Sequence, residues 1–238
     1  MAPMTPPRTT PIVALDVPTV EDALRVVATL GSRCRFYKIG LELFTAAGPA
    51  VVTRVLDTGS DVFLDLKLHD IPNTVRGAAR SAAALGVRLL TVHGIGGPEM
   101  LQAAVDGGRG ALGILAVTVL TSVDDAALAL STGRATASVG DEVARLAELA
   151  HEANVHGVVC SGMEAGALYR RYATELALLV PGIRLSGGPA HDQRRVVTPA
   201  QAAEAGARYI VLGRAVTAAV DPAAAMEEVL GELQSVAA

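Results

Sequence analysis

Tryptophan is absent from this chain, and aromatic residues make up only 3% of it. A core must therefore be packed from Ala, Val and Leu, which the 51% of hydrophobic residues can supply. Cysteine is nearly missing too. Cys34 and Cys160 stand apart, each near an apolar strand, and form no metal-binding spacing; they read as reduced core thiols, which points to the cytoplasm. No basic cluster interrupts a net charge of −4, so a nucleic-acid surface is not expected. No run of about 18 or more apolar residues is present, so no membrane helix is expected. Met1 to Pro7 is polar and proline-rich and lacks the apolar stretch of a signal peptide. His69, His151, His156 and His191 are scattered without metal spacing, and no glycine-rich dinucleotide fingerprint opens the first strand. The expectation is chemistry by side chains alone, with no metal and no cofactor.

What is present is an alternation. Apolar runs at Ile12–Asp16, Arg35–Ile39, Asp61–Lys67, Val87–Val92, Gly113–Thr118, Gly157–Cys160, Leu176–Val180 and Tyr209–Leu212 read as strands. Stretches of helical spacing lie between them, stopped by Gly31, Gly59 and Gly86 or opened by Pro49, Pro72, Pro98, Pro199 and Pro222. Eight such units mean parallel strands joined by crossovers. In 238 residues with no Ser/Gly-rich linker, a single (β/α)8 TIM barrel is the economical arrangement. The alternative, a doubly wound open sheet, would be unusually wide. Residues 1–10 are expected to form a flexible tail and 11–238 the barrel domain.

The polar residues follow the same plan. Asp16, Lys38, Asp65 with Lys67, His93, Thr118, Ser161 and Arg214 all sit at or just past the C-terminal ends of their strands. That is the face on which a barrel builds its active site. Two long connections leave from it, Thr121 to Gly140 and Leu185 to Thr198, and loops of that length tend to be lids or binding loops. His93 beside Gly94 reads as a hydrogen-bonded packing residue rather than a catalyst.

Strand three carries Asp65, Lys67 and, just beyond it, Asp70. Strand alternation points Asp65 and Lys67 to one face and the leucines to the other. A salt bridge at a strand end would account for the set, with Asp70 a solvated turn residue. The catalytic reading is an ammonium flanked by carboxylates, suited to stabilising a developing carbanion and then protonating it. Phosphate recognition has its own candidates. Barrels often bind phosphate with the loops after strands seven and eight, and those loops hold Arg184, Gln193 and Gly213-Arg214. Arginine offers bidentate contacts to phosphate, and glycine lets the backbone approach an anion closely.

Phe63-Leu64-Asp65-Leu66-Lys67-Leu68-His69-Asp70-Ile71-Pro72-Asn73-Thr74-Val75 resembles the signature of the orotidine 5′-phosphate decarboxylase family. Val13-Ala14-Leu15-Asp16, Tyr37-Lys38-Ile39-Gly40, Leu120-Thr121-Ser122, Pro181-Gly182-Ile183-Arg184, Asp192-Gln193 and Val211-Leu212-Gly213-Arg214 resemble its other motifs in order, from about Pro11 to Val220. The resemblance implies a cofactor-free barrel enzyme of pyrimidine synthesis that converts orotidine 5′-phosphate to uridine 5′-phosphate and CO2. It implies that Lys67 protonates C6, that Asp65 lies beside the departing carboxylate, and that Asp16 and Lys38 hold the ribose. It further implies a homodimer in which Asp70 and Thr74 reach into the neighbouring subunit's site. Thr121 and Ser122 match the pyrimidine-binding segment; Arg184, Gln193, Gly213 and Arg214 match phosphate and gripper-loop positions.

Two rivals stand beside this. A magnesium-dependent sugar-phosphate aldolase or keto-acid-phosphate decarboxylase shares the Asp-x-Lys-x-x-Asp pattern, although Leu68 to Asn73 and the Arg184 loop favour the orotidine reading. A barrel that binds a phosphorylated ligand as a sensor is the other, but it would gain nothing from Asp65 and Asp70.

Overall fold

The structure, a computed structural model, describes residues 8–185 and 196–237. Among them are eight parallel strands: β1 (Thr10–Ala14), β2 (Phe36–Gly40), β3 (Asp61–Leu68), β4 (Leu89–His93), β5 (Gly113–Val117), β6 (Gly157–Val159), β7 (Ala177–Val180) and β8 (Tyr209–Leu212). They pair in sequence order and close on themselves, with Thr10 to Val13 of β1 against Tyr209 to Leu212 of β8. The closed (β/α)8 barrel is the architecture, and the open sheet is excluded. Parallel neighbours require a crossover, and helices such as Val20–Leu30, Pro72–Ala84, Gly97–Gly108 and Val139–Glu152 provide it. The seam is fastened early in the chain. Thr9 donates its hydroxyl to the Ala207 carbonyl at 2.7 Å, and the Arg208 guanidinium donates to the Arg8 carbonyl at 2.8 Å.

Strand alternation divides the core in two. Ile12, Ala14, Phe36, Phe63, Leu89, Leu115, Leu179, Tyr209 and Val211 form a separate cluster that fills the barrel. The opposite faces of the same strands, with residues such as Val13, Tyr37, Leu64, Leu90 and Val158, pack against the helices in a larger cluster. Along each strand the inward series runs from apolar to polar: Ile12, Ala14, Asp16 on β1; Phe36, Lys38, Gly40 on β2; Phe63, Asp65, Lys67 on β3. The apolar part plugs the barrel, and the polar part tops the plug.

Strand and helix ends agree with expectation to within a few residues, with three differences. A helix at Leu41–Ala47 precedes Ala50–Leu56, the two being separated by Gly48 at φ 62° and Pro49. The stretch Thr121 to Gly140 is not a bare loop: Asp124 caps a helix at Asp125–Thr132 by accepting from the Ala127 N–H at 3.0 Å, and Gly133 ends it at φ 66°. A short helix, Arg214–Thr217, follows β8. Of the second long connection, Gly187-Gly188, His191, Asp192, Gln193, Arg194 and Arg195 lie outside the described residues. Its two ends meet in a parallel bridge between Ile183 and Val197. Among the described residues no helix is long and apolar enough to cross a membrane.

Candidate active site

A cavity of about 550 Å³ opens at the C-terminal mouth of the barrel. Asp16, Lys38, Asp65, Lys67, Thr121, Arg184, Gly213 and Arg214 line it, above a floor that includes Ala14, Phe63, Leu179 and Val211. Each charged residue arrives there by continuing the inward series of its strand or by opening the loop that follows.

Four of these side chains form a chain of alternating charge. Lys38 Nζ lies 2.7 Å from Asp16 Oδ1 and 3.7 Å from Asp65 Oδ2, while Lys67 Nζ donates to both Asp65 oxygens at 2.8 Å. The side chains of Lys38 and Asp65 are only 10% and 14% exposed. Exposed pairs contribute about 0–1 kcal/mol, whereas stripping one partner from a buried pair costs roughly 3–5 kcal/mol. The Asp65 carboxylate is thus fixed by its neighbours. Gly40 makes room for this: a Cβ at that position would come within 2.8 Å of Lys38 Nζ and 3.0 Å of Asp16 Oδ1.

The strand does not run regularly to Lys67. β3 pairs with β4 at Phe63↔Leu89 and Leu64↔Leu90, then not again until Leu68↔Val92, so β3 carries two extra residues in a bulge. Lys67 sits there at φ 48°, in the left-handed region. For a residue with a Cβ this costs about 1–2 kcal/mol. Its N–H is satisfied by Thr91 Oγ1 at 2.9 Å, and the same hydroxyl donates to Asp65 Oδ1 at 2.9 Å.

Across the cavity, Arg184 is buried and donates to its neighbour's carbonyl, that of Ile183, at 2.8 Å. Burial, and then the charge of nearby Arg214, lower its pKa from the ordinary arginine value. The two guanidiniums line the same wall of the cavity. At Gly213 an added Cβ would meet nothing within 4 Å, so the backbone there faces open space.

Other candidates fall elsewhere. Asp70 does not flank Lys67 within its own chain; it is exposed, and its Oδ1 accepts from the Ile71 N–H at 2.6 Å. The second carboxylate of the charge chain is Asp16 instead, because strand three ends before Asp70 and the chain turns outward into the helix at Pro72. Thr74 is exposed in the first turn of that helix, and Ser122 is exposed outside the cavity lining. Gln193 lies outside the described residues. Two strand-end hydroxyls serve the scaffold: Thr118 donates to the Val159 carbonyl at 2.7 Å, and Ser161 caps the helix Gly162–Tyr172 in a reciprocal pair with Glu164. His93 is half-buried at the rim, 5.8 Å from the His69 ring. Burial, then His69 and Lys67, lower its pKa.

Residues 9–229 match the Orotidine 5′-phosphate decarboxylase / HUMPS family. The chain belongs to that family. The match spans all eight strands of the barrel. An orotidine 5′-phosphate decarboxylase of Methylorubrum extorquens is 48% identical over 228 residues, 96% of this chain and 97% of that one. One from Anaeromyxobacter sp. is 50% identical over 220 residues, 92% and 96% of the two chains. Among solved structures, orotidine 5′-phosphate decarboxylase from Lactobacillus acidophilus superposes with a TM-score of 0.84 at 37% identity, covering 94% of this chain and 98% of its own.

The motifs by which the orotidine 5′-phosphate decarboxylase family was legible contain Asp65 and Lys67 but not Thr91. Threonine in an apolar strand reads as an ordinary β-former. The available signal was its place in the inward series Leu89, Thr91, His93, where a hydroxyl replaces an apolar side chain next to the Asp65 strand.

Proposed function

We propose that the chain decarboxylates orotidine 5′-phosphate to uridine 5′-phosphate and CO2 in pyrimidine synthesis, with Lys67 as the proton donor to C6. The observation that carries this is the Lys67 ammonium, bonded at 2.8 Å to both oxygens of a nearly buried Asp65 in a cavity whose other wall holds Arg184 and Arg214. The phosphate dianion binds the two guanidiniums, the Gly213 backbone and Gln193. Asp16 and Lys38 hold the ribose, and Thr121 and Ser122 the pyrimidine. The C6–carboxylate bond breaks beside Asp65, CO2 departs, and the electron pair stays on C6. The Lys67 ammonium stabilises that carbanion and then transfers a proton to it; the amine left behind regains its proton from water. Preorganised charge of this kind usually contributes the largest share of catalysis. Phosphate binding far from C6 supplies energy for closing the site.

The finer reading is a homodimer with shared sites. Asp70 and Thr74 turn away from their own cavity, and beside them Ile71 is 66% exposed and Ile95, on the next loop, 55%. A second copy covering these isoleucines would receive Asp70 and Thr74 at its own cavity. Cys34 and Cys160 are buried and joined in no disulfide, which suits the cytoplasm.

The test is incubation with orotidine 5′-phosphate in the presence of EDTA, following loss of the orotate absorbance. Wild-type turnover should survive the chelator, and Lys67→Ala should abolish turnover while the barrel stays folded. Turnover lost to EDTA would favour the metal-dependent branch. Binding without turnover would favour a sensor, and an active Lys67→Ala would remove Lys67 from the proton transfer.

A further inference from the structure

We infer that Thr91 is the positioning residue that holds Asp65 and Lys67 in register with one another. The inference rests on the proposed function for its kinetic consequence, and on the bulge for its geometry. Between Leu64 and Leu68 the β3 strand leaves its ladder with β4, so the Lys67 N–H loses a regular backbone acceptor. An amide N–H can only donate, and a hydroxyl has one proton to give. Thr91 Oγ1 must therefore accept from Lys67 and spend its proton on Asp65 Oδ1, both at 2.9 Å. The direction of each bond is fixed by chemistry.

Three observations converge on this residue. Thr91 is fully buried, so water cannot replace it. Lys67 is in the left-handed region at φ 48° without being glycine, a conformation that persists only when its surroundings over-determine it. The Lys67 ammonium bridges both Asp65 oxygens symmetrically at 2.8 Å, which requires backbone and carboxylate to be set together. One hydroxyl touches both. It fixes the main chain of the proton donor and the side chain of its counter-ion, while never reaching the cavity itself.

The test compares Thr91→Val, which keeps the shape and loses the hydroxyl, with Thr91→Ser, which keeps the hydroxyl and loses the methyl. For orotidine 5′-phosphate, Thr91→Val should lower kcat at least tenfold with KM changed less than about threefold, because the phosphate and ribose contacts are untouched. Thr91→Ser should restore kcat to within about threefold of wild type. Hydrogen exchange of the Lys67 amide, followed by NMR, supplies a readout independent of turnover. The amide should be protected in wild type and Thr91→Ser and exchange at least tenfold faster in Thr91→Val. A Thr91→Val enzyme with wild-type kcat, or one in which Thr91→Ser fails as badly, overturns the inference. So does a Lys67 amide equally protected in all three proteins. If wild type itself turned over no orotidine 5′-phosphate, the proposed function would fall while the amide measurement still decided the role of Thr91.

Discussion

Gly40→Ala separates the chemistry of this site from its stability. Gly40 lies on β2 opposite Asp65, with φ −95° and ψ −175°, a conformation open to alanine. The added methyl would sit 2.8 Å from Lys38 Nζ and 3.0 Å from Asp16 Oδ1. Restoring an ordinary 3.4 Å contact moves the ammonium by about 0.6 Å and the carboxylate by about 0.4 Å. Both groups end flexible side chains, so the backbone has no reason to yield. Replacing a strand glycine gains roughly 0.5–1 kcal/mol, and loosening a partly exposed pair loses about as much. Stability should therefore stay within about 1 kcal/mol of wild type, a Tm shift of about 2–4 °C at most for a domain of this size. A misplacement of about 1 Å can cost about a hundredfold in rate. Displacing the middle of the charge chain by half of that should lower kcat/KM for orotidine 5′-phosphate by about 10- to 100-fold. Steady-state decarboxylation and a thermal melt on the same preparation read both quantities. A variant with kcat/KM within twofold of wild type would refute the claim that Gly40 reserves space for the Lys38–Asp16 pair. A loss of activity accompanied by about 3 kcal/mol or more of destabilisation would place the damage in the strand.

Arg214→Ala should weaken binding of uridine 5′-phosphate by roughly 1.5–3 kcal/mol, the range for hydrogen bonds to charged groups, and leave uridine binding nearly unchanged; equal losses by calorimetry would move Arg214 away from the phosphate. In the homodimer proposed above, the Lys67→Ala and Asp70→Ala variants should each be nearly inactive. After random mixing, half the dimers are heterodimers with one intact site, so about a quarter of wild-type activity should return for an isologous pair. No recovery despite subunit exchange seen by mass would assign Asp70 to its own chain. The pH prediction concerns His156, whose pKa is lowered from 6.5 by burial first, then by Arg208 and Arg88. Its neutral form is favoured in the fold, so its contribution is complete above pH 6.5 and is lost as pH falls through the lowered value. Urea unfolding should show stability declining below pH 6.5, less steeply in His156→Gln; identical slopes would refute the assignment.

The barrel was legible because all the strands but β5 are short apolar runs closed within a few residues by glycine, proline or a charge, and β8, Tyr209–Leu212, matches its apolar run to the residue. Three helices carry no such signal, among them the short Arg214–Thr217 directly after β8. Leu41–Ala47 follows β2 without a turn signal, and Asp125–Thr132 is an alanine-rich segment inside a stretch whose length suggested a loop. The charged site was legible from the period of two, since Asp16, Lys38, Asp65 and Lys67 each extend an inward apolar series. The bulge was not. No glycine marks Lys67, and what makes its left-handed backbone tenable is a hydroxyl 24 residues further on. Nor could local reading separate Asp70 from Lys67, because three residues of spacing leave open whether the chain continues or turns.

The barrel's plug has a second consequence. Ala14, Phe63, Leu179 and Val211 belong to the cluster inside the sheet and also form the floor of the cavity. The atoms that keep eight strands apart are the atoms against which a ligand rests. Natural variation at these four positions answers to two selective pressures at once, and a change that suits heat tolerance can spoil the seat of the substrate. Most of the shell between sheet and helices carries no such double duty, Val119 and Cys160 apart. Val27, Leu30, Val55, Leu101 and Leu146 are absent from the cavity lining and are buried in that outer shell. An engineer seeking a hardier enzyme, or a lineage moving into a hotter habitat, has its freedom there.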